Sequence, residues 1–282
     1  MAYPIAYEPE RLALGDQPKF VSATDGDTPT IQVPIRMLGM DAPELHYGGA
    51  NEGNPGKFDI EIEAFATRSG ADLDSELLAF LAPRLKSKPS TRHITTGKEA
   101  SNHFHEIVAT RLDRGKNAKT GKPLIPRPFF TMVSQQVFDR HGRLLAYVAP
   151  SYTKDERTTI PESKRPTFNL QMIQDGHAIS LLIYPNVPKP ADLKRVRDAV
   201  RSARQYKRGF WSDSIPPLHA YEFRWIADTI TGKRNGPDRF CGDFTTAVLY
   251  KPDQYFQVPE ENRLWFFRDD VGAAIGMGFQ LA

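Results

Sequence analysis

The chain has one cysteine, Cys241, in 282 residues. That excludes an internal disulfide framework and suits a reducing compartment, here expected to be the cytoplasm. No stretch approaches eighteen consecutive apolar residues, so no membrane-spanning helix and no membrane partner are expected. Residues 1–14 carry Pro4, Glu8, Pro9 and Glu10 and no apolar run of the secretory kind. They do not read as a signal peptide, a leader already removed being left open. No internal repeat is visible. Net charge is also slight, 37 Lys+Arg standing against 34 Asp+Glu for +3. What is present, 40% hydrophobic and 25% charged residues, is ordinary for a globular protein. One large or two modest domains with a sizeable core fit this length.

The near balance of charge hides an asymmetry. Residues 1–83 hold 5 Lys+Arg against 14 Asp+Glu, residues 84–128 hold 11 against 3, and residues 189–213 hold 8 against 3. An acidic end able to gather a cation, followed by basic segments, suits a polyanion partner. Solvated basic faces account for the same runs.

The chain is organised around Arg36-Met37-Leu38-Gly39-Met40-Asp41-Ala42-Pro43-Glu44, with Asp25-Gly26-Asp27-Thr28 just upstream. An apolar strand carries an arginine at one end and runs into two acids at the other. Pro43 fixes its own φ and biases Ala42 away from helix, so the acids sit on a stiff, non-helical turn. Asp27, Asp41 and Glu44 are hard oxygen ligands, which suit Ca²⁺ or Mg²⁺ better than zinc or copper. Arg36 adds what a bare metal cluster does not need, a planar cation that can meet charge building on phosphate oxygens.

These blocks resemble the staphylococcal nuclease family, whose signature pairs DGDT with a strand reading R-L-x-G-x-D-[AT]-P-E. The likeness continues downstream in Asp139-Arg140-His141-Gly142-Arg143-Leu144-Leu145-Ala146-Tyr147. It extends to Asn169-Leu170 through Gly176-His177-Ala178, and to a basic helix closing with Gly209-Phe210-Trp211. The resemblance covers residues 18–213 and implies an α+β domain with a mostly β core, a five-stranded OB-like barrel capped by helices. It also implies roles. Asp27 and Asp41 ligate the metal, usually Ca²⁺ with Mg²⁺ or another divalent ion as the alternative, helped by the carbonyl of Ala42. Glu44 positions or deprotonates water, Arg36 and Arg143 clamp phosphate, and Asp139 shapes the Arg143 turn. Tyr184 matches a position near the nucleotide, although a packing tyrosine fits as well. Arg140 and His141 are candidate phosphate contacts, or only turn residues.

Read in order, residues 1–17 form an arm, Lys19–Ala23 a strand, and Thr30–Met37 one half-buried strand, with Pro29 and Pro34 marking a shortened or bulged hairpin. The glycines of residues 45–60 suggest a mobile loop beside the site. One helix is expected across Ile62–Leu81. Residues 84–128 are expected to be a basic insertion holding a strand, Phe104–Leu112. A strand over Phe129–Phe138 turns at His141-Gly142 and returns over Leu144–Val148, and helices are expected over 169–181 and from Leu193 to Phe210. His103 and His105 would share one face of their strand, a weak zinc pattern without further ligands. Residues 214–282 form a small aromatic-rich module, with strands at 244–250 and 263–267 and a short helix from Val271 to Met277. Its aromatics are expected to build a core of their own rather than stack on bases, and Cys241 to fill that core. The function expected is a metal-dependent nuclease acting on DNA, RNA or both. The alternative is a non-catalytic nucleic-acid or protein binding module on the same barrel, and the C-terminal module is a candidate assembly element.

Overall fold

A computed structural model describes residues 19–68, 73–234 and 236–282. The expected arm, residues 1–17, lies outside them. β1 (Lys19–Ala23) and β2 (Pro29–Gln32) pair as an antiparallel hairpin around the turn that carries Asp27. Proline has no N–H to give a ladder, and Pro34 separates β2 from β3 (Ile35–Met37). The expected single strand is therefore two, with Ile31 and Ile35 exposed. Gly39, at φ +72°, turns the chain into β4 (Gly39–Asp41).

The helix expected across Ile62–Leu81 is divided into α1 (Asp59–Glu63), α2 (Phe65–Arg68) and α3 (Ser75–Leu81). Asp74 caps α3, accepting the backbone N–H groups of Glu76 and Leu77. α4 (Pro89–Leu112) runs through the basic insertion and replaces the strand expected at Phe104–Leu112. His93, Gly97, Ala100, Phe104 and Ile107 recur every three or four residues and turn inward, a helical period that outweighs the local alternation.

β5 (Phe129–Phe138) and β6 (Leu144–Pro150) form the expected hairpin. α5 (Lys154–Thr159) follows with a Thr153–Glu156 capping box. α6 (Phe168–Gln174) stops before Gly176, and β7 (Ile179–Ile183) stands where the sequence pattern extended a helix to residue 181. The stop is enforced by tertiary packing. Gly176 adopts φ +74° and its carbonyl accepts the N–H of Phe210, and a Cβ there would press on the backbone of Arg208 and Gly209. α7 (Pro190–Gln205) leads to α8 (Ala220–Ile230). Beyond α8, apart from short 3-10 turns, come β8 (Phe240–Asp243), β9 (Val248–Tyr250), β10 (Arg263–Phe266), α9 (Val271–Gly276) and β11 (Gln280–Leu281).

The described strands make three sheets, β1-β2, β3-β6-β5 and β11-β9-β8-β10-β7-β4. The architecture is mixed α+β, and none of these sheets closes into the expected barrel. After Gly39, β4 leaves the β3 sheet to pair with β7, and β7 takes β10 in parallel on its other edge. Buried Asn169 ties the two sheets together. Its side-chain amide donates to the carbonyls of Leu38 at 2.8 Å and Ala146 at 3.2 Å, and its carbonyl accepts Val148 N–H at 2.9 Å. The tail's aromatics do not form a private core. Phe223, Trp225, Tyr255 and Trp265 share one with Phe58, Ile62, Phe65, Leu77 and Ile94. No helix among the described residues is long and apolar enough to cross a membrane.

Candidate active site

The site gathers where β4 ends. Asp41, opposite Ile179 in the β4–β7 pair, is 1% exposed. A carboxylate so buried needs charged partners, and it has two. Arg36 from β3 donates Nη2 to Oδ1 at 2.7 Å, and Arg224 from α8 donates Nη2 to Oδ2 at 2.7 Å and Nη1 to Oδ1 at 3.2 Å. Burial pushes the Asp41 carboxyl up, but Arg224 and Arg36 outweigh it and hold the group at about 2. Arg224 Nη1 also donates to Glu44 Oε1, so one guanidinium bridges both acids of the turn.

Glu44 is fixed through its backbone. Its N–H donates to Nε2 of His93 at 2.9 Å, and the other ring nitrogen, Nδ1, lies 2.9 Å from the carbonyl of Leu218. With Nδ1 carrying the proton, one neutral imidazole serves both bonds. Burial pushes His93 down to about 3, so it stays neutral. The ring is stacked on Phe223 with centroids 4.1 Å apart. Gly97, one turn further along α4, lies against the Glu44–Leu45 backbone, and a Cβ there would sit 2.7 Å from the carbonyl carbon of Glu44.

Arg143 directly precedes β6, whose Leu145 is the parallel partner of Arg36. Asp139 holds the turn, accepting the Arg143 N–H on Oδ1 at 3.0 Å and its Nε on Oδ2 at 2.7 Å. Arg140 and His141 are exposed on the same turn and touch each other, Nε to Nε2, at 3.2 Å. Tyr184 stacks on Phe266 of β10 with centroids 5.7 Å apart, so it is packed against the tail. Cys241 is buried, and burial pushes its thiol up to about 12, which leaves no nucleophile there. His103 lies on a helix, paired with Asp175 at 2.9 Å and stacked on His177.

The expected metal ligands do not come together as a cation site. Calcium takes six to eight oxygens. Here guanidinium groups occupy both oxygens of Asp41 and one of Glu44. Asp27 is exposed in the hairpin and accepts the Thr28 hydroxyl at 3.1 Å. Among the described residues, no three His, Cys, Asp or Glu side chains gather as a metal site. In this arrangement the carboxylates do not fit a divalent cation, because Arg224 supplies the positive charge.

Many basic residues are also committed to the fold. Arg84 pairs with buried Glu222, Arg127 with Glu156, and Arg201 and Arg204 with Glu261. Lys116, Lys119 and Lys122 stay exposed without a carboxylate within 4.0 Å among the described residues.

Arg224 and His93 were not legible as site residues. Arg224 lies in the C-terminal segment beyond the four resembling blocks, its one signal being a charge set between the core aromatics Phe223 and Trp225. His93 lies in what read as an insertion. A family profile described as staphylococcal nuclease homologue matches residues 34–213, which takes in Arg36, Asp41, Glu44 and Arg143 but neither Asp27 nor Arg224. A search of curated proteins finds no match.

Proposed function

The chain belongs to the staphylococcal nuclease homologue family, and on that premise we propose that it hydrolyses phosphodiester bonds of DNA or RNA. The observation that carries this is the drawing of Arg36, Asp41 and Glu44 into one ion-pair cluster at the end of β4. Arg36 and Arg143 have side chains 32% and 40% exposed. Each meets its carboxylate with only part of its guanidinium, leaving N–H donors for phosphate oxygens, where charge grows in the transition state. Glu44 gives Oε1 to Arg224 and keeps Oε2 for water. The water oxygen attacks phosphorus and loses its proton, the P–O ester bond breaks, and the leaving oxygen takes up a proton.

The family is typically Ca²⁺-dependent, but no step is assigned to a metal while Arg224 holds the carboxylates. That same contact favours a second reading, a nucleic-acid-binding module that does not cleave.

Digestion of single- and double-stranded DNA and RNA, with Ca²⁺ and with chelator, separates the two. Arg143→Ala and Glu44→Gln are each expected to lower turnover by at least about 10²-fold. Affinity for nucleic acid is expected to change by less than about tenfold. Folded variants with wild-type cleavage would overturn the assigned roles. Tight binding by the wild type without cleavage under any divalent ion would put the binding module in place of the nuclease.

A further inference from the structure

Beside Arg224 the tail forms a cleft of about 40 Å³ lined by Arg224, Arg234, Asp238, Arg239 and Trp265, among others. On this measure one water needs roughly 10–15 Å³, so there is room for a small polyatomic group. Three guanidinium groups face a single carboxylate, and two of the three are already committed. Arg224 serves Asp41 and Glu44, and Arg234 makes 3.3 Å pairs with Asp228 and Asp238.

Arg239 is the exception. It is mostly covered, has no carboxylate within 4.0 Å among the described residues, and its Nε is buried without a hydrogen-bond partner. Its guanidinium lies over the Phe267 ring at 5.1 Å, and burial holds it below the usual arginine value. Trp265, 3% exposed, likewise has an Nε1 without a partner. A covered cation needs an anion, and a pocket with surplus donors needs a ligand with several acceptor oxygens. Phosphate is that ligand for grouped arginines.

We propose that Arg239 and Arg234, backed by Arg224, form a phosphate subsite. Its occupant is the terminal phosphate of a nucleic-acid strand whose neighbouring diester lies at Arg36 and Glu44. This rests on the nuclease reading for the identity of the ligand, but not for the binding itself. Because Arg224 lines both places, the subsite and the carboxylates share a wall.

The test is calorimetric titration of the full chain with inorganic phosphate at fixed ionic strength, then with dithymidylate carrying or lacking a terminal phosphate at either end. Wild type is expected to bind phosphate, and to bind one phosphorylated dinucleotide at least tenfold tighter than the unphosphorylated one. Arg239→Gln is expected to lose both effects, while Lys194→Gln, at an exposed side chain of α7, keeps them. If Arg239→Gln does not fold, Arg234→Gln, at a side chain 31% exposed, makes the same comparison. Undiminished phosphate binding in a folded Arg239→Gln chain, or its loss in Arg143→Ala, would overturn the subsite. Equal binding of all the dinucleotides would overturn the strand-end ligand. Every readout is binding, so a chain that binds as stated and cleaves nothing sinks the nuclease reading alone.

Discussion

Arg224 reaches back 183 residues to Asp41 and meets both of its carboxylate oxygens. The acid belongs to the turn that dominates the sequence, and the base to a segment outside the family match. With Glu44 on the same guanidinium, the tail supplies the charge that balances the site.

Removing that guanidinium leaves Asp41 buried with Arg36 alone. Breaking a buried pair typically costs about 3–5 kcal/mol, and the remaining partner places Arg224→Ala near the low end, about 3 kcal/mol less stable in urea unfolding. The freed carboxylates should then respond to Ca²⁺. A Ca²⁺-dependent rise in melting temperature is expected in the variant and none in the wild type, where chelator should change nothing. A wild-type melting curve that shifts with Ca²⁺ would show that the acids are available to metal with Arg224 in place.

Gly97 sets how closely α4 approaches Glu44. A Cβ there meets the Glu44 backbone, and overpacking of this kind costs about 1–3 kcal/mol. In an open helix the same change gains up to about 1 kcal/mol, as expected at Gly272, where a Cβ would meet nothing within 4 Å. Gly97→Ala should therefore destabilise the fold and lower cleavage together, and Gly272→Ala should do neither. Equal thermal stability of the two variants would refute the close approach.

Acid should unfold the protein in stages. Burial holds His93 near 3, and ion pairing outweighs burial to hold Asp41 and Glu222 at about 2. All three lie below their unfolded values of 6.5, 3.8 and 4.5, so the unfolded chain binds more protons. Their contribution is complete above pH 6.5 and is lost as pH falls, His93 beginning first, then Glu222 and Asp41, down to about pH 2. Each group fully protonated only in the unfolded chain gives a slope of about 1.4 kcal/mol per pH unit. His93→Gln should flatten the segment between pH 6 and 5 in urea titrations, and an unchanged slope there would count against a buried neutral imidazole.

A chain ending at Asp213 should not fold cooperatively. It would lose β10 from the edge of β7, Phe223 and Trp225 from the shared core, and the partners of buried Arg84 and Asp41. A circular-dichroism melt is expected to show no sharp transition. A cooperative melt near the wild-type temperature would establish residues 1–213 as self-sufficient.

Local chemistry was readable from the chain alone. Pro43 placed the turn at Asp41–Glu44, the His141-Gly142 pair placed the turn of the β5–β6 hairpin, and the ordered blocks singled out Arg36, Asp41, Glu44 and Arg143 as candidates. Each of these signals lies within a few residues of what it specifies. Tertiary structure decided the rest. Gly39 sends β4 to β7 instead of into a barrel, the packing of Gly176 against Gly209 ends α6, and helical burial makes residues 104–112 part of α4. His93 and Arg224 meet Glu44 only because α4 and α8 pack on the turn from 49 and 180 residues away. No periodicity or spacing encodes such a meeting. A buried charge chooses its partner by the geometry of the packed core, and that geometry exists only once the tail has joined the sheet.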